Sequence, residues 1–167
     1  MPTTLNDLAA GIRSALKADP GPKGKQAVCA LVSKALLDRQ FIDQHVTAAE
    51  CKPRKVLYED PELGFCICGH NYEGPAAGAP HDHGSTWAIY GVASGSTTMT
   101  DWRIVKPGNG ESTTLVAPGS TYEMKPGDSH FYDVGAVHSP NRPGPTKLLR
   151  IEGQNLDRIK RSNIKAL

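Results

Sequence analysis

Two short motifs dominate the sequence, "PHDHGS" at residues 80–85 and "PGDSHFYDVGAVH" at residues 126–138. The first holds His81 and His83, and we interpret it as part of a strand, where residues two apart project to the same side. An ion of the Zn or Fe type needs at least a third protein ligand. The second motif supplies the best candidate, His138, because its turn residues can bring a later strand beside an earlier one.

Length and composition predict a single domain with one core. The chain has 167 residues and a formal net charge of +2, which gives no global field for a nucleic-acid or membrane partner. No window approaches the roughly 20 apolar residues of a membrane span, and the first residues do not resemble a secretory signal. The four cysteines form no CxxC pair, so we interpret them as buried thiols. We expect a cytoplasmic protein with a small-molecule partner, and the sequence leaves its oligomeric state open.

The N-terminal part reads as two helices. Apolar residues recur on one helical face over residues 4–17, and Thr4 with Asp7 forms a capping-box pattern at the start. Two prolines and two glycines interrupt this pattern over residues 18–25, and the same period resumes over about 28–40.

Beyond residue 52 the pattern is that of strands broken by Gly, Pro and Asn clusters. The predicted strands are 54–58, 64–70, 84–93, 96–105, 112–116, 120–125, 129–133 and 146–153. Successive strands without intervening helices favour an antiparallel barrel or jelly roll over a doubly wound sheet. The predicted organisation of the domain 1–167 is N-terminal helices at 1–45, a β-barrel at 54–153 and a solvated C-terminal tail at 154–167.

The two motifs together resemble those of the cupin superfamily, and most of all its cysteine-dioxygenase-like thiol dioxygenase branch. The resemblance covers roughly residues 54–153. It implies a mainly β fold, the cupin double-stranded β-helix or jelly-roll barrel, holding one Fe(II) by His81, His83 and His138. Many cupins add a glutamate shortly after the second histidine, where this chain has "STWA" at residues 85–88. A three-histidine site without a carboxylate is typical of the thiol dioxygenases.

Three neutral imidazoles leave the charge of a divalent ion uncompensated, so the open positions favour a thiolate together with O₂. The resemblance implies that the substrate is a small thiol and the product a sulfinate. Two alternatives remain open. The site can hold Zn, Ni or Mn instead of iron, and the protein can then be a zinc hydrolase or lyase, or a cupin that only binds a small ligand. A lone HxH can also be a pair of outward polar residues.

Two differences between this sequence and the cysteine dioxygenases bear on the expected substrate. Cysteine dioxygenases with a cysteine–tyrosine crosslink carry the cysteine where this chain has Ala88, so we expect no crosslink. They also place a carboxylate-binding arginine two residues after a tyrosine. In this chain the residue two positions after Tyr58 is Asp60. These differences argue against cysteine itself as the substrate; related bacterial enzymes that act on mercapto acids vary at the arginine position, so the resemblance still implies a thiol substrate.

A substrate carboxylate needs a cation, and the candidates are Arg103, Arg142 and Arg150. Arg150 is our first choice. Strand alternation sets Arg150 and Glu152 on one face, so this face must look inward if Arg150 is to bind substrate. The alternative is a surface ion pair between the two.

The aromatic residues near the motifs offer further catalytic candidates. Tyr132 and His130 share a strand face, and either can line a pocket or donate a hydrogen bond to bound oxygen. Tyr90 and Trp87 flank the first motif in the same way, although packing is the simpler role for aromatics on strands. Asp133 can orient a ligand imidazole or hold the turn.

Overall fold

The structure is a computed structural model that describes residues 3–48 and 51–167. Three helices come first: α1 (Leu5–Ala18), α2 (Pro22–Leu36) and α3 (Arg39–His45). Within the described residues the strands are β1 (Arg54–Glu59), β2 (Cys66–Tyr72), β3 (Ala76–Ala77), β4 (Ala88–Ser94), β5 (Thr97–Lys106), β6 (Thr114–Met124), β7 (Ser129–Tyr132), β8 (Val137–Arg142), β9 (Thr146–Glu152) and β10 (Ile164–Ala166). A 3₁₀ turn over Leu156–Arg158 lies between β9 and β10. Over the described ranges, no helix has the length and apolar character needed to cross a membrane.

The strands form two five-stranded sheets that face each other. Their orders are β1-β2-β9-β4-β7 and β10-β6-β5-β8-β3, and the pairs are antiparallel except for β10 with β6. Buried residues of both sheets, such as Val92, Met99 and Met124, meet between them. The predicted fold class is confirmed: the molecule is mainly β, a double-stranded β-helix with N-terminal helices.

The helices cover the outer face of the first sheet. Alternation along β4 sends Ile89 into the helix-facing core and Tyr90 into the space between the sheets. Gly91 lets α2 approach closely, since a Cβ there would lie 2.7 Å from the Val32 side chain. On β9 the same alternation turns Leu149 toward the helices and Arg150 toward the interior.

The first predicted helix is confirmed, and the second is divided. Thr4 caps α1 with the expected capping box, its hydroxyl accepting from the Asp7 amide at 3.1 Å. The segment predicted as a helix over 28–40 begins earlier, at Pro22, because a helix tolerates proline at its first position. It ends at Leu36, and Asp38 then caps α3 by accepting from the Phe41 amide at 3.1 Å.

Most predicted strands are present, with differences near the site. The strand predicted over 84–93 begins only at Ala88, so residues 84–87 are turn and loop. The predicted strands 112–116 and 120–125 are one strand, β6, because bulges in its pairing with β5 let the ladder continue past Pro118. Strand β8, with the turn-like sequence "HSPNR", was not predicted at all.

The C-terminal segment predicted over 154–167 as a solvated tail is largely exposed, but part of it also pairs with the barrel. Strand β10 pairs in parallel with β6, and the Ser162 amide donates to the Asp82 carboxylate at 3.1 Å. Gly84 makes the approach possible, because its φ is 61° and a Cβ would lie 2.4 Å from the Lys160 carbonyl oxygen. The segment therefore packs directly against the first histidine motif.

Candidate metal centre

The two histidine motifs meet through their backbones. His81 and His138 form an isolated antiparallel bridge in which each amide donates to the other's carbonyl at 3.0 Å. His138 lies near the start of β8, whereas His81 and His83 lie in the loop before β4. The assignment of the first motif to a strand is therefore wrong, and it is the bridge and the following turn that bring the rings together.

The three imidazoles converge on one point. Each of His81, His83 and His138 offers a ring nitrogen, and these nitrogens all lie within 4.8 Å of one another. The ring centroids of His81 and His83 lie 4.6 Å and 4.8 Å from that of His138. His83 and His138 are buried and His81 is partly exposed, so the cluster can be reached from the His81 side.

Backbone carbonyls set the tautomers of two of the rings. Nδ1 of His81 lies 2.9 Å from the Ala79 carbonyl oxygen, and Nδ1 of His138 lies 3.1 Å from that of Ala136. A carbonyl only accepts, so both Nδ1 atoms carry the proton and both Nε2 atoms present lone pairs to the centre. Burial lowers the pKa of His81 to about 4 and that of His138 to about 3. The pKa of His83 is also lowered, by burial and then by the neighbouring His138.

The Tyr90 hydroxyl stands among the three Nε2 atoms. Its oxygen lies 3.0 Å from Nε2 of His83, 3.3 Å from that of His138 and 3.4 Å from that of His81. A hydroxyl has one proton to donate, and at least two lone pairs face it. The centre thus holds more acceptors than donors, an arrangement that suits a cation.

The donor set fits a divalent transition ion. Neutral imidazole nitrogens are the ligands preferred by Zn, Fe, Ni and Cu ions, and among the described residues the cluster includes no carboxylate or thiol. The Nδ1 contacts to carbonyls are the outer contacts that commonly orient metal-binding histidines. The three histidines could therefore hold a metal ion.

Two of the predicted catalytic residues lie behind the cluster. The Tyr132 ring stacks on the His138 ring at a centroid distance of 3.9 Å, and its hydroxyl lies 2.5 Å from that of Tyr122. His130 is half-buried and packs on the same tyrosines, with ring centroids 4.6 Å from Tyr132 and 5.0 Å from Tyr122. Tyr132 thus supports a histidine of the cluster, and the catalytic roles predicted for both residues remain predictions.

The third predicted catalytic residue, Arg150, lies inside the barrel. It is 7% exposed, and its guanidinium lies over the Tyr90 ring at 4.2 Å. Glu152 is fully buried and lies 3.9 Å from Arg150, so the alternative of a surface ion pair is wrong. Arg103, in contrast, is exposed on β5.

A cavity of about 430 Å³ opens beside the cluster. Its lining includes His81, Tyr90 and three arginines, Arg142, Arg150 and Arg161. Its volume lies within the range of small-molecule sites. A second cavity of about 480 Å³ around Thr47 and Lys147 has none of the candidate site residues among its described lining residues. The cavity at the histidines is therefore the candidate substrate site.

The remaining predicted residues have structural surroundings. Asp133 is exposed and accepts from the Val134 amide at 2.8 Å, which holds the turn before β8. Trp87 packs on Phe131 with centroids 6.3 Å apart. All four cysteines are buried and form no disulfide.

Sequence reasoning missed Arg161 and undervalued Tyr90. Arg161 lies in the segment predicted as a solvated tail, and no local signal places it at the cavity. Tyr90 could have been singled out, because alternation along the strand that follows the first motif sends it into the barrel interior with Ala88 and Val92.

No protein-family model matches the chain, and no curated protein matches it. The structural neighbours include proteins of the cupin superfamily. One, from Desulfitobacterium hafniense, is 11% identical, with 61% of this chain and 76% of that chain covered and a TM-score of 0.45.

Two further solved structures resemble this chain to a similar degree. A conserved protein with a double-stranded β-helix domain from Klebsiella pneumoniae is 18% identical, covering 74% of this chain and 88% of its own, with a TM-score of 0.49. A hydroquinone 1,2-dioxygenase in complex with Cd²⁺ and 4-hydroxybenzonitrile is 16% identical, covering 69% and 68%, with a TM-score of 0.47. The fold assignment itself rests on the strand topology.

Proposed function

We propose that this chain is a mononuclear non-haem Fe(II) dioxygenase that uses O₂ to convert a small thiol, one that also carries a carboxylate, to a sulfinate. The observation that carries the proposal is a set of three neutral imidazoles, without a carboxylate among the described residues, of which His81 lines a cavity that also holds three arginines. Such a centre keeps the full charge of a divalent ion and so favours an anionic sulfur ligand. The arginines favour a carboxylate on the same molecule.

The reaction balances without a further reductant. The thiol and one O₂ give the sulfinate and one proton: the S–H and O–O bonds break, two S–O bonds form, sulfur loses four electrons and O₂ gains four. Fe(II), when bound by His81, His83 and His138, supplies open coordination positions and the redox chemistry that O₂ requires.

The chain's own residues bind and orient the substrate. The buried Arg150 lies on the wall of the cavity, where its guanidinium can bind a carboxylate. The Tyr90 hydroxyl lies within 3.4 Å of all three Nε2 atoms, so it can donate a hydrogen bond to an anion held at the cluster. Tyr132 keeps the His138 ring in place by stacking. We assign His130 the supporting role of packing against Tyr132.

The partners in this proposal are the thiol and O₂, with no nucleic acid or membrane involved. Fe(II) and a reduced thiol substrate are best maintained in a reducing compartment, so we propose the cytoplasm as its location.

The test is O₂ uptake by the protein loaded anaerobically with Fe(II). A panel of mercapto acids and aminothiols is added, O₂ consumption is followed, and the sulfinate is identified by its mass gain of two oxygen atoms. We expect uptake that is stoichiometric with sulfinate for at least one carboxylate-bearing thiol. His138→Ala should abolish both signals, while His45→Gln, a histidine on α3 outside the cluster, should retain them.

Two outcomes would overturn the proposal. One is no O₂ uptake with any thiol on the panel although Fe(II) is bound. The other is purification with Zn(II) alone from iron-replete cells, together with the inability of Fe(II) to replace it, which would favour the hydrolytic or lyase alternative.

A further inference from the structure

Two buried arginines face the cavity without full charge compensation. Arg142 on β8 is 5% exposed and Arg150 on β9 is 7% exposed, and the Nε atom of each is buried without a hydrogen-bond partner in the described structure. Their guanidinium groups lie over aromatic rings, Arg142 at 4.3 Å from Tyr72 and Arg150 at 4.2 Å from Tyr90. Aromatic faces attract a cation but do not neutralise it.

The nearby carboxylate of Glu152 does not compensate the charges of the two arginines. Glu152 lies 3.9 Å from Arg150, but its two oxygens already accept from Arg54, at 3.1 Å from Nε and 2.7 Å from Nη2. No ion pair of Arg142 occurs among residues 3–48 and 51–167. Burial lowers the pKa of Arg142, and the charge of Arg150 adds to that effect. Buried charges are normally paired, so the pair of arginines calls for anionic groups from outside the chain.

A third cation lies at the same cavity. Arg161, from the segment before β10, is exposed and completes the lining together with Arg142 and Arg150. The other described lining residues are small, aromatic or proline apart from His81, and none is acidic. The three arginines come from three separate segments of the chain, which suits a ligand with more than one anionic group.

We propose that this cavity binds a small dianion, so that the substrate is a thiol carrying two carboxylates. This inference rests on the proposed function for the thiol, but the two carboxylates are argued from the arginines alone. Arg150, next to Tyr90 and the histidines, binds the carboxylate nearer the sulfur. Arg142 and Arg161 bind the second one.

The experiment separates the dianion from the oxidation chemistry by using ligands without sulfur. Succinate and butyrate, which have the same chain length but two and one carboxylates, are titrated into the full chain treated with chelator, by isothermal titration calorimetry. We expect succinate to bind at least about tenfold more tightly than butyrate, as one further charge-assisted pair provides. In Arg142→Gln the ratio should fall to about twofold or less.

Further variants keep the test decisive. Arg161→Gln, at an exposed position, should lower the ratio even if Arg142→Gln does not fold, and Arg142→Lys should retain most of it. Arg103→Gln, an exposed arginine away from the cavity, should leave the ratio unchanged. Equal binding of succinate and butyrate, or a ratio that is unaffected by both Arg142→Gln and Arg161→Gln, would overturn the inference.

The outcome also distinguishes this inference from the proposed function. With the Fe(II)-loaded protein, mercaptosuccinate should be oxidised in preference to 3-mercaptopropionate. Tight succinate binding without any sulfinate from mercaptosuccinate, 3-mercaptopropionate or the other thiols of the panel would refute the dioxygenase and leave the dianion site standing. Oxidation of 3-mercaptopropionate without succinate binding would do the reverse.

Discussion

Replacing Glu152 with glutamine removes a carboxylate that ties three parts of the molecule together. Glu152 is fully buried, and its oxygens accept from Arg54 at 3.1 and 2.7 Å and from the Leu156 amide at 3.1 Å. Arg54 belongs to β1 and Leu156 to the segment that leads to β10. A glutamine has the same shape, but its NH₂ group would face an arginine N–H, so one donor is left against another donor.

The size of the effect follows from the burial of the pair. Removing one partner of a buried ion pair costs about 3–5 kcal/mol. The Arg54 side chain is 21% exposed, so water can still solvate its charge in the variant, and this offsets part of the free-energy cost. We therefore expect Glu152→Gln to lower the free energy of unfolding by about 3 kcal/mol, near the lower end of that range. For a chain of this length, this corresponds to a fall in melting temperature of about 6–12 °C.

The assay is thermal unfolding followed by circular dichroism, with urea denaturation as the second measurement. The matched control is Glu62→Gln, whose carboxylate is half-exposed and pairs with Lys17 and, at 3.8 Å, with Arg13. Surface pairs contribute about 0–1 kcal/mol, so this variant should melt close to the wild type. If Glu152→Gln and Glu62→Gln melt at the same temperature, the buried network does not have the stabilising role argued here.

Further predictions concern the metal centre and its surroundings. Zn(II) at about a thousand times its Kd should stabilise the protein by about 4 kcal/mol, or about 8–16 °C in melting temperature. His138→Ala should abolish the shift and His45→Gln retain it; a shift of equal size in both would place the metal elsewhere. Gly84→Ala should cost about 1–3 kcal/mol in urea denaturation, because its φ is 61° and the new Cβ would lie 2.4 Å from the Lys160 carbonyl oxygen. Tyr90→Phe should change the visible spectrum of the Co(II)-loaded protein, since its hydroxyl lies within 3.4 Å of each Nε2; an unchanged spectrum would mean that the hydroxyl turns away when metal binds.

Local patterns predicted many of the regular elements. The capping box marked the start of α1, and short runs rich in β-branched and aromatic residues marked β4 and β9, because these signals depend on neighbours in sequence. The same reasoning failed for β8, whose sequence "HSPNR" has the composition of a turn. It becomes a strand because β5 pairs with it from Thr98 to Trp102.

For the candidate site, too, the sequence predicted one part and the tertiary structure was needed for the rest. The sequence brought His81, His83 and His138 to attention as a possible set, and it placed Arg150 and Glu152 on one face of a strand. It could not say whether that face looked inward, because alternation relates the two faces of a strand without stating which one meets the core. The burial of Arg150 under the second sheet answers this.

By itself, the sequence determined a β-rich chain with helices at its start and three histidines in motifs suited to an ion. Only the tertiary structure decided that His81 pairs with His138, that Tyr90 reaches all three rings, and that Arg142 and Arg161 join Arg150 at one cavity. The physical reason is distance along the chain: helical and strand periodicity acts over a few residues, while this centre is assembled by strand pairing and by a C-terminal segment about 80 residues away from the first motif.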